Sequence, residues 1–297
     1  MNYPTSRRKL LKQLAAGSLA ASIGQPLHVF ANDNMEEEKL KGNINHSVCQ
    51  WTYGFLPLDD LCAEGKKMGL KAIDLLPPKD WPTLQKHGLV CSMCYIAGKT
   101  SLTEGWNNPK FHDQLIKDFS ETIPLVEKAG YKNLICFSGN RNGMDDATGL
   151  KNCAEGLRKI LPLAEKHNVM IQMELLNSKV DHKDYMCDKT PWGVELCKQL
   201  ASPNFRLLYD IYHMQIDEGD VIRTIRDNHQ YIGHYHTAGV PGRHELNEAQ
   251  ELYYPAIMKA ILETGHKGFV AQEFIPTGKT NEDKIAALKD AVKICDV

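Results

Sequence analysis

Four apolar runs in the second half of the chain each end in a side chain able to bind a cation or carry a proton. Val169-Met170-Ile171-Gln172-Met173-Glu174 and Phe205-Arg206-Leu207-Leu208-Tyr209-Asp210 close with carboxylates. Tyr231-Ile232-Gly233-His234-Tyr235-His236 closes with an imidazole, and Phe269-Val270-Ala271-Gln272-Glu273 with a third carboxylate. In a parallel barrel the C-terminal strand ends converge on one face, so Glu174, Asp210, His236 and Glu273 make a set of three oxygen donors and one nitrogen donor. Carboxylates gathered there repel one another unless a cation sits among them, and hard oxygen donors accept a divalent ion readily. Manganese or magnesium fits best, while the imidazole leaves zinc and cobalt open. Taken singly, Glu174 or Asp210 is better explained as a helix N-terminal residue or a rim salt bridge. The coincidence of four strand ends is what favours a metal centre. His234 faces the same side of its strand as His236 and is expected deeper in the barrel. His213 follows Asp210 by three residues in an expected loop, a position suited to a substrate contact or to a capping histidine.

The elements that must position these groups alternate regularly from Ile44 onward. Strand-like runs cover about residues 44–51, 71–76, 89–96, 133–138, 169–175, 206–210, 231–236 and 268–273. Amphipathic segments occupy the intervals, at 58–68, 78–87, 108–129, 145–167, 192–200, 219–228, 251–264 and 281–295. Such alternation predicts βα units and a parallel sheet. Eight units favour an α/β fold of the (β/α)8 TIM-barrel type in a single domain, with an open doubly wound sheet as the alternative. Gly69, Gly88, Gly130 and Gly265 each follow an amphipathic run, where a left-handed helix cap favours a residue without Cβ. No Gly-rich dinucleotide or phosphate loop follows the first strand.

The first residues differ in kind. Ser6-Arg7-Arg8-Lys9-Leu10-Leu11-Lys12 precedes an apolar stretch from Leu14 to Ile23, and Val29-Phe30-Ala31 offers a cleavage site after Ala31. Residues 1–31 are therefore expected to be a twin-arginine-type signal peptide, 32–43 a linker and 44–297 the barrel, in a periplasmic protein. The apolar stretch is short for a bilayer span, so no stable membrane anchor is expected. A net charge of −2 gives no electrostatic attraction to nucleic acid. The nine cysteines are odd in number and scattered, which argues for buried thiols over a disulfide framework. Cys91 and Cys94 lie in an expected strand, where residues three apart face opposite sides. Trp51, Tyr53, Phe55, Tyr95 and Trp106 are candidates to roof a ligand pocket or to fill the core, and Arg141 and Arg243 to contact an anion.

From Ile44 to Gly278 the sequence resembles the xylose-isomerase-like barrel superfamily, in particular its hydroxypyruvate isomerase and ketose 3-epimerase branch. The likeness rests on Glu174-Leu175-Leu176-Asn177, on Tyr209-Asp210-Ile211-Tyr212-His213-Met214-Gln215, on the run from Gly233 through Arg243-His244-Glu245, and on Gln272-Glu273-Phe274. The resemblance implies that Glu174, Asp210, His236 and Glu273 hold one divalent metal ion, that Glu174 and Glu273 double as the acid/base pair, and that His213 and Arg243 contact substrate. It further implies a sugar isomerase or epimerase that moves a proton beside a carbonyl through an enediolate. At His236 the chain is more similar to the ketose epimerases, because hydroxypyruvate isomerases tend to carry Gln there. An exported protein also suits a free sugar or keto-sugar better than an intracellular or phosphorylated metabolite. Two other functions are open at this stage: a metal-dependent lyase or hydrolase of keto-glycosides, and a non-catalytic sugar-binding barrel. A homodimer is the default assembly for a soluble chain.

Overall fold

A computed structural model of the protein describes residues 39–297; the expected signal peptide and most of the expected linker lie outside the described residues. Eight parallel strands run in chain order: β1 (Asn45–Cys49), β2 (Ala72–Asp74), β3 (Val90–Cys91), β4 (Asn133–Cys136), β5 (Met170–Leu175), β6 (Phe205–Asp210), β7 (Ile232–Thr237) and β8 (Phe269–Gln272). Their order in the sheet is β3-β2-β1-β8-β7-β6-β5-β4. Closure comes through Cys94, which bridges in parallel to Leu76 beyond β2 and to Leu134 in β4. The fold is thus the expected single-domain (β/α)8 barrel and not the open sheet.

Helices fill the intervals: α1 (Leu58–Lys67), α2 (Trp81–Lys86), α3 (His112–Lys128), α4 (Asp146–Leu157), α5 (Leu161–Lys166), α6 (Thr190–Leu200), α7 (Ile211–Asp217), α8 (Val221–Asn228), α9 (Tyr254–Glu263) and α10 (Asn281–Cys295). The single helix expected over 145–167 is two. Pro162 lacks the N–H that the carbonyl of Arg158 would accept, so the first helix stops and a second begins with proline in its first turn. The segment after Asp210, expected to be a loop, is α7, because the Asp210 side chain accepts from the His213 N–H and caps a new helix. Gly69, Gly88, Gly130 and Gly265 all adopt positive φ, from 66° to 89°.

The third strand is much shorter than the expected 89–96. The chain bends at Ser92, so strict alternation ends there and the Cys94 thiol lies close enough to Cys91 to interact with it. The expected separation of these two cysteines on opposite faces is therefore incorrect. All nine cysteines are free and buried. Burial pushes eight of the thiols up, Cys62 to about 11 and Cys295 to about 12, and leaves all nine out of reach of solvent reagents. A thiol-specific aromatic disulfide should consequently label none of the nine in the native protein and all nine after denaturation; rapid labelling of the native protein would contradict this packing. No helix among the described residues is long and apolar enough to cross a membrane.

Candidate metal centre

Side-chain alternation and strand register carry the four chemical residues to one end of the barrel. Asp210 pairs with His236 across β6 and β7, and His236 with Ala271 across β7 and β8. Glu273 follows β8 by one residue, its N–H donating to the Thr237 carbonyl at 2.8 Å, which holds the carboxylate beside the end of β7. Glu174 lies one residue before the end of β5. One donor atom from each of Glu174, Asp210, His236 and Glu273 falls within 4.8 Å of the other three, and all four side chains are buried.

Hydrogen bonding divides the donor atoms into those already committed and those free. Asp210 Oδ1 accepts the His213 N–H at 3.1 Å, whereas Asp210 Oδ2 has no hydrogen-bond partner. His236 Nδ1 lies 2.9 Å from Glu273 Oε2 and 3.2 Å from Glu174 Oε1. Glu174 Oε1 is nevertheless buried without a hydrogen-bond partner. Trp51 Nε1 donates to Glu273 Oε1 at 2.9 Å, and the Arg243 guanidinium donates to Glu273 Oε2 at 2.7 Å. Buried oxygens without partners are costly, and a divalent ion coordinated by these oxygens and by Nδ1 would satisfy them. The donor set fits such an ion.

Charge is unevenly distributed within the cluster. Burial raises the Glu174 pKa and raises that of Asp210 well above the usual range, with the negative Glu273 adding to both. Burial acts the same way on Glu273, but His236 and Arg243 outweigh it and hold this carboxyl well below its ordinary value. Burial opposes a charge on His236, yet the Glu273 carboxylate and the hydrogen bond to Asp74 favour it and the pKa is raised. The cluster therefore retains protons that a bound cation would displace.

A cavity of about 430 Å³ opens over these groups, with Glu174, Glu273 and Arg243 in its lining. Trp51, Tyr95, Phe137 and three leucines give it an apolar wall, as small-molecule sites commonly have. Of the aromatic candidates, Trp51 and Tyr95 line this cavity, whereas Tyr53 and Trp106 are fully buried in the core. Phe55 instead stays partly exposed under the Lys284 ammonium.

Arg243 and His213, both expected at the substrate, sit differently. Arg243 lines the cavity, with its guanidinium against the Trp51 and Tyr212 rings. His213 is fully buried and is not part of the cavity wall. Its Nδ1 is 2.6 Å from Asn177 Nδ2, and the Asn177 orientation is secured by its Oδ1 accepting from Val180 and Asp181. Burial, then Arg243, keeps the ring neutral. Nδ1 must then accept, leaving the Nε2 proton directed toward Asp210 Oδ2 at 3.6 Å. His213 thus backs Asp210. Arg141 is not free for an anion: it pairs with Asp146 and Asp188 and donates to the Tyr185 carbonyl, stapling a loop.

Sequence patterns missed Asp74, the last residue of β2. It is fully buried and its Oδ2 lies 2.8 Å from His236 Nε2 and 3.0 Å from His234 Nε2. Burial raises its pKa, but the two histidines outweigh burial and keep it ionised. The available signal was a carboxylate inside Ala72-Ile73-Asp74-Leu75-Leu76; extending that strand to residue 76 concealed it as a mid-strand residue. His234, expected deeper in the barrel, is as fully buried as His236 and meets the same Asp74 oxygen.

Fold and site together define a (β/α)8 barrel whose strand ends converge on a cluster suited to a divalent cation. The sequence pattern of the xylose isomerase-like TIM barrel family matches residues 66–293, and the chain belongs to that family. A 2-oxo-tetronate isomerase from Cupriavidus necator is 32% identical over 118 residues, covering 40% of this chain and 45% of that protein. A human protein named provisionally as a hydroxypyruvate isomerase is 30% identical over 128 residues, covering 43% of this chain and 46% of its own length. The chain thus matches less than half the length of these curated relatives. Among solved structures, a family 2 AP endonuclease from Brucella melitensis superposes with a TM-score of 0.73 at 22% identity, covering 82% of this chain and 96% of the other. A D-psicose 3-epimerase from Clostridium cellulolyticum superposes at 0.70 with 16% identity, covering 85% and 98% respectively. These superpositions establish the shared fold.

Proposed function

We propose that the protein is a divalent-metal-dependent sugar isomerase or epimerase that moves a proton on the carbon beside the carbonyl of a small neutral sugar or keto-sugar, through an enediolate. One observation carries this reading: four donor atoms from four strand ends lie within 4.8 Å of one another, and two of their carboxylates border a cavity large enough for such a substrate. Relatives named as isomerases and an epimerase support it.

Glu174, Asp210, His236 and Glu273 would hold the ion, manganese or magnesium by the hardness of the oxygen donors. When bound, it supplies positive charge beside the oxygens on which the enediolate's negative charge develops. The chain's residues move the proton. Glu273, kept ionised by His236 and Arg243, takes it; Glu174, whose pKa burial raises, holds a proton and returns one. Return to the neighbouring carbon isomerises the sugar, and return to the same carbon from the other side inverts it. Arg243 offers a guanidinium to substrate oxygens, and the faces of Trp51 and Tyr95 suit sugar C–H surfaces.

The paired arginines and the Val29-Phe30-Ala31 site support export through a twin-arginine-type signal. Nine buried, unpaired thiols accord with a chain that folds in a reducing compartment before it leaves.

The deciding experiment follows solvent deuterium into a panel of ketoses, keto-glycosides and hydroxypyruvate, with metal-loaded mature protein. Incorporation beside the carbonyl, with an isomer or epimer appearing, is expected. Cleavage of a keto-glycoside without any isomer would replace this reading with the lyase or hydrolase, and saturable binding without exchange or turnover would leave a binding protein.

A further inference from the structure

We infer that Asp74 is a positioning residue that orients the His236 ring so that Nδ1, and not Nε2, faces the metal site. This rests on the proposed metal centre. An imidazole has two ring nitrogens, and which of them can coordinate is decided by the hydrogen bond the other makes. His236 Nε2 lies 2.8 Å from Asp74 Oδ2 and 3.8 Å from Cys49 Sγ, while Nδ1 faces Glu273 Oε2 and Glu174 Oε1. A carboxylate on Nε2 commits that nitrogen as a donor, so Nδ1 is left to present its lone pair to a cation.

Asp74 is itself held from several directions. Its Oδ1 accepts from Ser92 Oγ at 2.6 Å, and Ser92 Oγ meets Ser47 Oγ at 2.6 Å. His234 Nε2 approaches Oδ2 at 3.0 Å, and Cys49 Sγ donates to the same oxygen at 3.7 Å. Cys49 and Asp74 are register partners across β1 and β2, which aims both side chains into the barrel. All of Ser47, Ser92, Asp74, His234 and His236 are essentially inaccessible to water. Although His234 Nδ1 has no hydrogen-bond partner, the bonds that converge on Asp74 favour one arrangement, because any other leaves further buried groups unpaired.

The test uses the full-length folded chain, Mn²⁺ titrated calorimetrically, and nitrogen-detected NMR of the His236 ring in the Mg²⁺-loaded protein. Asp74→Ala should weaken Mn²⁺ binding about 10–100-fold, the usual cost of removing such an outer partner. It should also convert the His236 spectrum from one tautomer, protonated at Nε2, to a mixture. Asp74→Asn retains the shape and one acceptor oxygen but not the charge and should recover only part of the affinity, whereas a purely volumetric role would give full recovery. Should Asp74→Ala fail to fold, Asp74→Asn and Ser92→Ala carry the test, each expected to lower Mn²⁺ affinity by several-fold. Unchanged Mn²⁺ affinity in whichever of these variants fold, or an unchanged single Nε2-protonated tautomer in Asp74→Ala, would overturn the role of Asp74. A wild-type chain that binds no divalent ion would instead overturn the metal centre, before any variant is made.

Discussion

Glu273→Gln is expected to abolish both product formation and deuterium exchange, with turnover falling about 10²–10⁴-fold, the range over which a positioned general base contributes. The amide keeps an oxygen in the position of Oε1, where Trp51 Nε1 donates, so the side chain stays in place. It loses the negative charge that faces Arg243 and His236, and with it the ability to take a proton. Glu174→Gln should behave differently. If Glu273 removes the proton and Glu174 returns it on the product side, the Glu174 variant forms product 10²-fold or more slowly yet still exchanges deuterium into recovered starting sugar. Measurements at saturating cation separate this chemistry from weakened coordination. A loss under tenfold in either variant would remove that residue from the acid/base pair, and identical behaviour of the two would overturn the division of labour between them.

Removal of the divalent ion is expected to stop turnover entirely, with recovery on adding Mn²⁺ or Mg²⁺. The reason is electrostatic: without positive charge among Glu174, Asp210 and Glu273, a negative enediolate would add to a cluster that already retains protons to limit its own repulsion. The ion should also stabilise the fold, by about 2.7 kcal/mol at a hundredfold excess over its dissociation constant. Asp210→Ala removes a ligand atom and the α7 cap together, so metal-dependent stabilisation should vanish and the metal-free protein should lose about 1 kcal/mol more from the missing cap. Affinity for the ion should fall as pH is lowered. Asp210, with its pKa raised well above the usual range, keeps its proton to higher pH, and a cation must displace it. Calorimetry across the acidic range checks the sign; affinity independent of pH would contradict proton displacement at this site.

Much of this molecule was legible before any coordinates. The alternation of short apolar runs with amphipathic segments is local, and eight repeats of it specify a parallel α/β architecture because each run must bury both faces. The four glycines after helices were legible for the same reason, since a left-handed cap is a property of a few consecutive residues. Glu174, Asp210, His236 and Glu273 stood out because each is the polar end of an apolar run, and the barrel brings such ends together whatever the details.

Other features depended on contacts between distant residues. Asp74 looked like an interruption within a strand until β2 was seen to end at it, 160 and 162 residues along the chain from the two histidines it serves. The third strand ended early because Ser92 turns inward to Asp74, which also drew Cys91 and Cys94 together. His213 had the chemistry of a substrate contact, but Asp210 caps a helix there and turns the ring behind itself. Residue order thus dictates which groups arrive at the barrel mouth, because backbone alternation and burial are decided locally. Which of them face the cavity, which carry charge and which merely support a neighbour is decided by tertiary packing, since hydrogen-bond partners and desolvation are supplied by strands far apart in the chain.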